Sequence, residues 1–270
     1  MSLTRERPAV SVDELRRAYQ AVQEGAYRPD RPSAAAPATT TPVWAVEGPV
    51  LPVIGCAGGA GSTVTALAIA TAAAPSRLVE CSSVTTTGLS AAPTAELGVC
   101  EGWSQGTRGQ TLLERPTRFF SSHEEVTLPL AASSNGALTV LDVGWDPNQV
   151  LSGRSWLTDQ IMRAPSLVAV TRATVPGLRR LEAVLALLDG GPTTSVAVIG
   201  PRQKKWPRAL EASTGALTRA LASQGRLVEI PHDPDLALHG PTGKELPTSL
   251  TSAATHLLRL TGTGTTTTKG

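Results

Sequence analysis

Short apolar, β-rich runs recur along most of this chain, separated by longer stretches in which apolar residues fall at helical spacing. The strand-like runs are Val50 to Ile54, Arg77 to Cys81, Ala137 to Val143, Ser166 to Thr171, Thr194 to Ile199 and Arg226 to Ile230. Such alternation predicts a mostly parallel sheet with helices on both faces, an α/β fold. Helix punctuation agrees: Pro176 and Pro207 suit first-turn positions, and Gly190 and Gly225 suit helix ends. Residues Ser82 to Pro129 break the pattern, with Gly, Thr and Arg scattered among apolar pairs such as Leu112-Leu113 and Phe119-Phe120. Extra strands and an excursion of the sheet edge both remain open there.

The two ends read differently. Ser11-Val12-Asp13-Glu14 has the form of a capping box, and Leu15, Ala18, Tyr19 and Val22 then share one helical face until Gly25. From Arg28 to Pro42 the chain is rich in Pro, Ala and Thr with no apolar period, the composition of a semi-stiff linker. The predicted organisation is a tethered amphipathic helix with its linker over residues 1–42, one α/β domain over 43–260, and a low-complexity, disordered tail over 261–270. A tethered helix of this kind docks on its own domain or recruits a protein partner through residues 10–25.

Composition narrows the function classes. With 270 residues, 41% of them hydrophobic and 17% charged, the chain can bury a substantial core. A net charge of +2 and a pI near 8.6 are too mild to imply nucleic acid or membrane by bulk electrostatics. No apolar run approaches the roughly 18 residues of a membrane span, and no signal-peptide pattern follows Met1, so a cytoplasmic location is expected. Cys56, Cys81 and Cys100 are too few and too widely spaced for a disulfide framework or a zinc site. Abundant alanine, with arginine favoured over lysine, hints at a GC-rich bacterial genome.

The stretch with most chemical content is Val53-Ile54-Gly55-Cys56-Ala57-Gly58-Gly59-Ala60-Gly61-Ser62-Thr63-Val64-Thr65, a glycine-rich turn between a strand and a helix. Such a turn presents backbone N–H groups and the positive end of a helix dipole to an anion. The cation that would act on a terminal phosphate is absent from it.

These residues resemble the ParA/MinD family of P-loop NTPases, whose loop reads roughly GKGGxGKTT. Gly58, Gly59 and Gly61 match its glycines and Thr63 its Mg²⁺-holding hydroxyl, while Cys56 replaces the first glycine, Ala57 the signature lysine and Ser62 the lysine of active P-loops. The resemblance extends in order from about Val50 to Leu260. Leu78-Val79-Glu80-Cys81-Ser82 stands where the family's second strand ends in two acids, so Glu80 and Ser82 take their places. Leu138 to Gly144 matches the strand ending in the acid that supports Mg²⁺, here Asp142, with Gly144 two residues on. Gly200-Pro201-Arg202 departs from the family's base-side Asn-Arg pair, and Ile230-Pro231-His232-Asp233 matches its later loop. The resemblance therefore implies a nucleotide site at Gly58, Gly59, Ala60, Gly61, Ser62, Thr63, Val64, Asp142, Gly144 and Pro231. Thr63 and Asp142 would hold Mg²⁺ only together with a nucleotide.

Magnitudes weigh against hydrolysis. A hydrogen bond to a charged group contributes roughly 1.5–3 kcal/mol, so losing the loop lysine weakens binding by about one to two powers of ten. The transition state loses more, because phosphoryl transfer depends on cations placed where charge accumulates. Arg108, Arg115, Arg172 and Arg202 are candidate substitutes, though a forked guanidinium does not inherit a lysine's role directly. The leading expectation is a pseudo-ATPase with no catalytic residue and no required cofactor, binding ATP or ADP with Mg²⁺ weakly at most. It would act as a scaffold or localisation factor in conjugation, secretion or pilus assembly, or DNA segregation. The alternatives are a working Mg²⁺-ATP switch that dimerises, and a nucleotide-independent DNA binder using Arg202, Lys204, Lys205 and Arg208 around Trp206. A redox role for Cys56 and a metal cluster of His232, Asp233, Asp235 and His239 are weaker candidates than a buried thiol and a solvated loop. The run Ser249 to Leu260 carries too few cations for a membrane-binding helix.

Overall fold

The computed structural model describes residues 43–131 and 136–263. The helix and linker expected over residues 1–42 and the last seven residues of the expected tail lie outside them. The tail begins later than expected, because Thr261 still belongs to the last helix, buried, with its carbonyl accepting from Ser166 Oγ at 3.0 Å.

Nine strands form a single sheet: β1 (Val50–Gly55), β2 (Ser76–Cys81), β3 (Ala95–Cys100), β4 (Trp103–Arg108), β5 (Thr111–Pro116), β6 (Leu138–Val143), β7 (Ser166–Arg172), β8 (Thr193–Ile199) and β9 (Leu227–Ile230). Their spatial order is β3-β4-β5-β2-β6-β1-β7-β8-β9. Every pairing from β5 to β9 is parallel, and β4 alone runs against its neighbours. All six strands expected from the sequence are present, within one residue at each end. The ambiguous stretch after Ser82 supplies β3, β4 and β5, an antiparallel extension of the sheet.

The main helices are α1 (Ser62–Ala72), α2 (Pro147–Ser152), α3 (Trp156–Arg163), α4 (Val175–Leu187), α5 (Arg208–Ala212), α6 (Ala216–Ser223), α7 (Pro234–His239) and α8 (Thr248–Thr261). Pro176 lies in the first turn of α4 as expected, whereas Pro207 sits one residue ahead of α5 as its cap. Strand alternation divides the core into two layers. On one face Val50 and Ile54 pack with Trp156, Leu157 and Ile161 of α3 and Leu178 and Leu181 of α4. On the other, Leu51 and Val53 pack with Ala66 to Ala70 of α1 and Leu250, Leu257 and Leu258 of α8. The alanines that give α1 its helix propensity also let it lie close between sheet and α8. This packing fixes the first turn of α1 at the carboxyl ends of β1, β6 and β7, where open α/β sheets form their crevices.

Candidate nucleotide site

The glycine loop leaves β1 at Gly55 and enters α1 at Ser62. Gly59 and Gly61 take φ values of +69° and +93°, in the left-handed region that glycine tolerates. Gly61 caps α1, and a Cβ there would fall 2.4 Å from Ile199 Cδ1, so this position needs glycine twice over. The first bond of the helix runs from Thr65 N to Gly61 O, leaving the earlier first-turn N–H groups without intrahelical acceptors. No side chain caps this helix and no acid occupies its first turn.

Gly59, Ala60, Gly61, Ser62, Thr63 and Val64 line a cavity of about 340 Å³ together with Arg172, Ile199, Ile230 and Pro231. Thr86 and Gly88, and Leu236, Pro241, Pro247 and Leu250, belong to the same lining. This volume is at the lower end of ordinary small-molecule sites. Gly58 falls outside this cavity and lines a second of about 340 Å³ with Cys56, Ala57, Asp146 and Arg180.

Asp142 and Glu80 lie in register on β6 and β2, both almost fully buried. Burial and the neighbouring Glu80 charge push the Asp142 carboxyl up to about 7, while the Thr63 hydroxyl pulls it partly back. Its Oδ1 has no hydrogen-bond partner. Glu80 is also raised by burial, but both its oxygens are engaged: Thr87 Oγ1 donates to Oε2 at 2.5 Å and Gly88 N to Oε1 at 2.7 Å. A Cβ on Gly88 would lie 2.9 Å from Thr63 Cγ2, so Glu80 holds this turn directly against the loop. Gly144 packs on Ser82, where a Cβ would come within 2.5 Å of Ser82 Cβ.

The remaining sequence candidates are distributed elsewhere. Burial pushes the Cys56 thiol up to about 12, the property of an inert core cysteine. Asp233 caps α7 by accepting from Leu236 N, His239 pairs with Asp235, and no metal cluster forms among the described residues. Arg202, Lys204, Lys205 and Arg208 are exposed around buried Trp206. An open groove of about 960 Å³ beside β9 takes in Arg202 and Lys204, but also Glu211 and Glu229, which dilute the positive field a phosphate backbone selects. No described helix is long and apolar enough to cross a membrane. The sequence reading missed the rim from Leu236 to Leu250, although the Pro and Gly cluster over residues 240–247 marks a loop there.

No family model and no curated protein matches this chain. Solved structures do. A ParA family ATPase from Chlorobium tepidum superposes with a TM-score of 0.52 at 14% identity, covering 78% of this chain and 99% of that one. The chain has the ParA/MinD P-loop NTPase fold. A McdA variant from Cyanothece in complex with ATP gives a TM-score of 0.51 at 14% identity over 81% of this chain and 98% of that one. A MinC:MinD cell division protein complex from Aquifex aeolicus gives 0.51 at 15% identity, covering 78% of this chain and 96% of the matched chain. Of the residues the resemblance assigns to a nucleotide site, Asp142 and Gly144 are not among those lining the cavity of the glycine loop.

The Thr63 hydroxyl lines the cavity and is bonded to the buried Asp142 carboxyl, whose Oδ1 is left without a partner.

Proposed function

We propose that this protein is a pseudo-ATPase of the ParA/MinD fold, which holds a nucleotide without turning it over and acts as a scaffold or localisation factor through protein contacts. One observation carries the reading: the carboxylate of Glu80 is spent on Thr87 and Gly88. An acid that orients an attacking water must be open to that water, and Glu80 is 1% exposed with both oxygens tied into the fold. Ser82, two residues on, offers a hydroxyl in place of a second acid. Ala57 and Ser62 supply no cation for the charge that develops on a transferring phosphoryl group. Binding requires less: backbone donors and a cavity, and these remain. The neighbouring solved structures named McdA and MinC:MinD support a positioning role as the setting. In that setting ATP or ADP serves as a structural ligand rather than as fuel.

The test pairs calorimetric titration with Mg²⁺-ATP against a phosphate-release assay on the full chain. The expected result is saturable binding with no phosphate released above the background of an Asp142→Ala variant. Turnover that disappears in Asp142→Ala would overturn the reading and establish a working ATPase.

A further inference from the structure

Four arginines could stand in for the missing loop lysine, and the structure separates them. Arg108 donates to the carbonyls of Ala92, Thr242 and Lys244. Arg115 is engaged by Ser90, Glu96 and Ser104. Arg202 opens on the groove beside β9 rather than on the loop. Arg172, at the end of β7, reaches the loop itself: its Nε donates to the Gly59 carbonyl at 2.9 Å. Among the described residues its two terminal nitrogens take no acceptor, and the side chain lines the same cavity as Ser62 and Thr63.

We propose that Arg172 is the phosphate-binding cation of this cavity, gripping Gly59 through Nε and presenting its terminal nitrogens to the phosphates of a nucleoside di- or triphosphate. The proposal rests on the reading above, that the site binds a nucleotide without turnover.

Three further observations converge on it. The first turn of α1 lines the cavity and carries neither an acidic residue of its own nor a side-chain cap. The Asp142 carboxyl is buried behind Thr63, a lining residue whose hydroxyl it accepts from, and its Oδ1 is unpartnered. The acid on the cavity wall, Asp233, accepts from Leu236 N at 2.9 Å and forms no ion pair with Arg172. A guanidinium held by Nε keeps its fork in one plane, the geometry that takes two phosphate oxygens at once. An arginine fixed to a loop carbonyl from the β7 side also suits ground-state binding. It stays on Gly59, whereas a flexible lysine can follow charge as it moves to the leaving oxygen. Because the contact is to phosphate, pyrophosphate should share it and adenosine should not.

The experiment is titration of the full chain with Mg²⁺-ADP, Mg²⁺-pyrophosphate and adenosine, comparing wild type, Arg172→Ala and Arg172→Lys. Arg172→Ala should lose about ten- to a hundredfold in affinity for ADP and pyrophosphate, with Arg172→Lys retaining part of it. Adenosine binding and the ligand-free melting temperature should not move, since the side chain is exposed and its one protein bond is to a surface carbonyl. Equal ADP affinity in wild type and Arg172→Ala would overturn the proposal and leave the pseudo-ATPase reading standing. Wild type that binds neither ADP nor pyrophosphate would overturn it as well. Phosphate release by wild type, with affinity still lost in Arg172→Ala, would instead sink the pseudo-ATPase reading and keep Arg172 as the phosphate cation.

Discussion

Buried charge is handled in opposite ways at the two ends of β2. Toward its start, where the antiparallel extension joins the sheet, charges are matched. Arg77 and Glu114 form an ion pair with side chains only 3% and 1% exposed, and Arg77 also donates to Leu130 O at 2.8 Å while stacking over Trp44. Arg108 is likewise fixed on three carbonyls. At the other end of β2, beside the glycine loop, Glu80 and Asp142 lie side by side without an ion-pair partner. Charge at the start of β2 is held in an ion pair, whereas the two carboxyls beside the loop are raised by burial, and Arg115 only partly offsets this at Glu80.

The comparison can be broken most directly at Glu114. Glu114→Ala leaves the Arg77 guanidinium buried and unpaired, and should cost about 3–5 kcal/mol in urea unfolding. A loss near that of an exposed pair would mean that the extension is not held by its charges.

Asp142→Asn should act in the opposite direction. The native carboxyl titrates near 7 against an ordinary 3.8, so between those values the folded state carries the extra proton. Stability of the wild type therefore falls as pH rises through that window and levels off above it. Asp142→Asn should remove the slope and stabilise the ligand-free protein at pH 8 by roughly 1–3 kcal/mol. Thermal melts at pH 5 and pH 8 check both, and a destabilised variant at pH 8 would show that Asp142 already has its partner.

An effect of similar size concerns packing alone. Gly144→Ala should cost about 1–3 kcal/mol by pushing on Ser82, and Ser82→Gly in the same chain should restore most of it. Additive losses in the double-mutant cycle would separate the two positions.

The parallel half of the sheet was legible because its strands are buried on both faces and read as continuous apolar runs bounded by Gly and Pro. β3 and β4 were not: Trp103-Ser104-Gln105-Gly106-Thr107-Arg108 is mostly polar, and its pairing depends on partners distant in sequence. The same limit applied to the site. The glycine loop, Thr63 and Asp142 are local signals, whereas the capture of Glu80 by Thr87 and Gly88 is visible only after the chain turns back on itself. Arg172 stood among four equal candidates until the fold occupied Arg108 and Arg115 and carried Arg202 to another groove.

Strand β3 ends the sheet with all six residues exposed, Leu97 and Val99 among them. Its outer N–H and C=O groups are a template on which another chain can polymerise, so solubility at high concentration depends on this border. The register shift between Glu96 and Gly98, with Gly98 at φ +106°, interrupts the regular ladder that such growth would copy. Straightening that irregularity would trade a small local defect for a sticky edge.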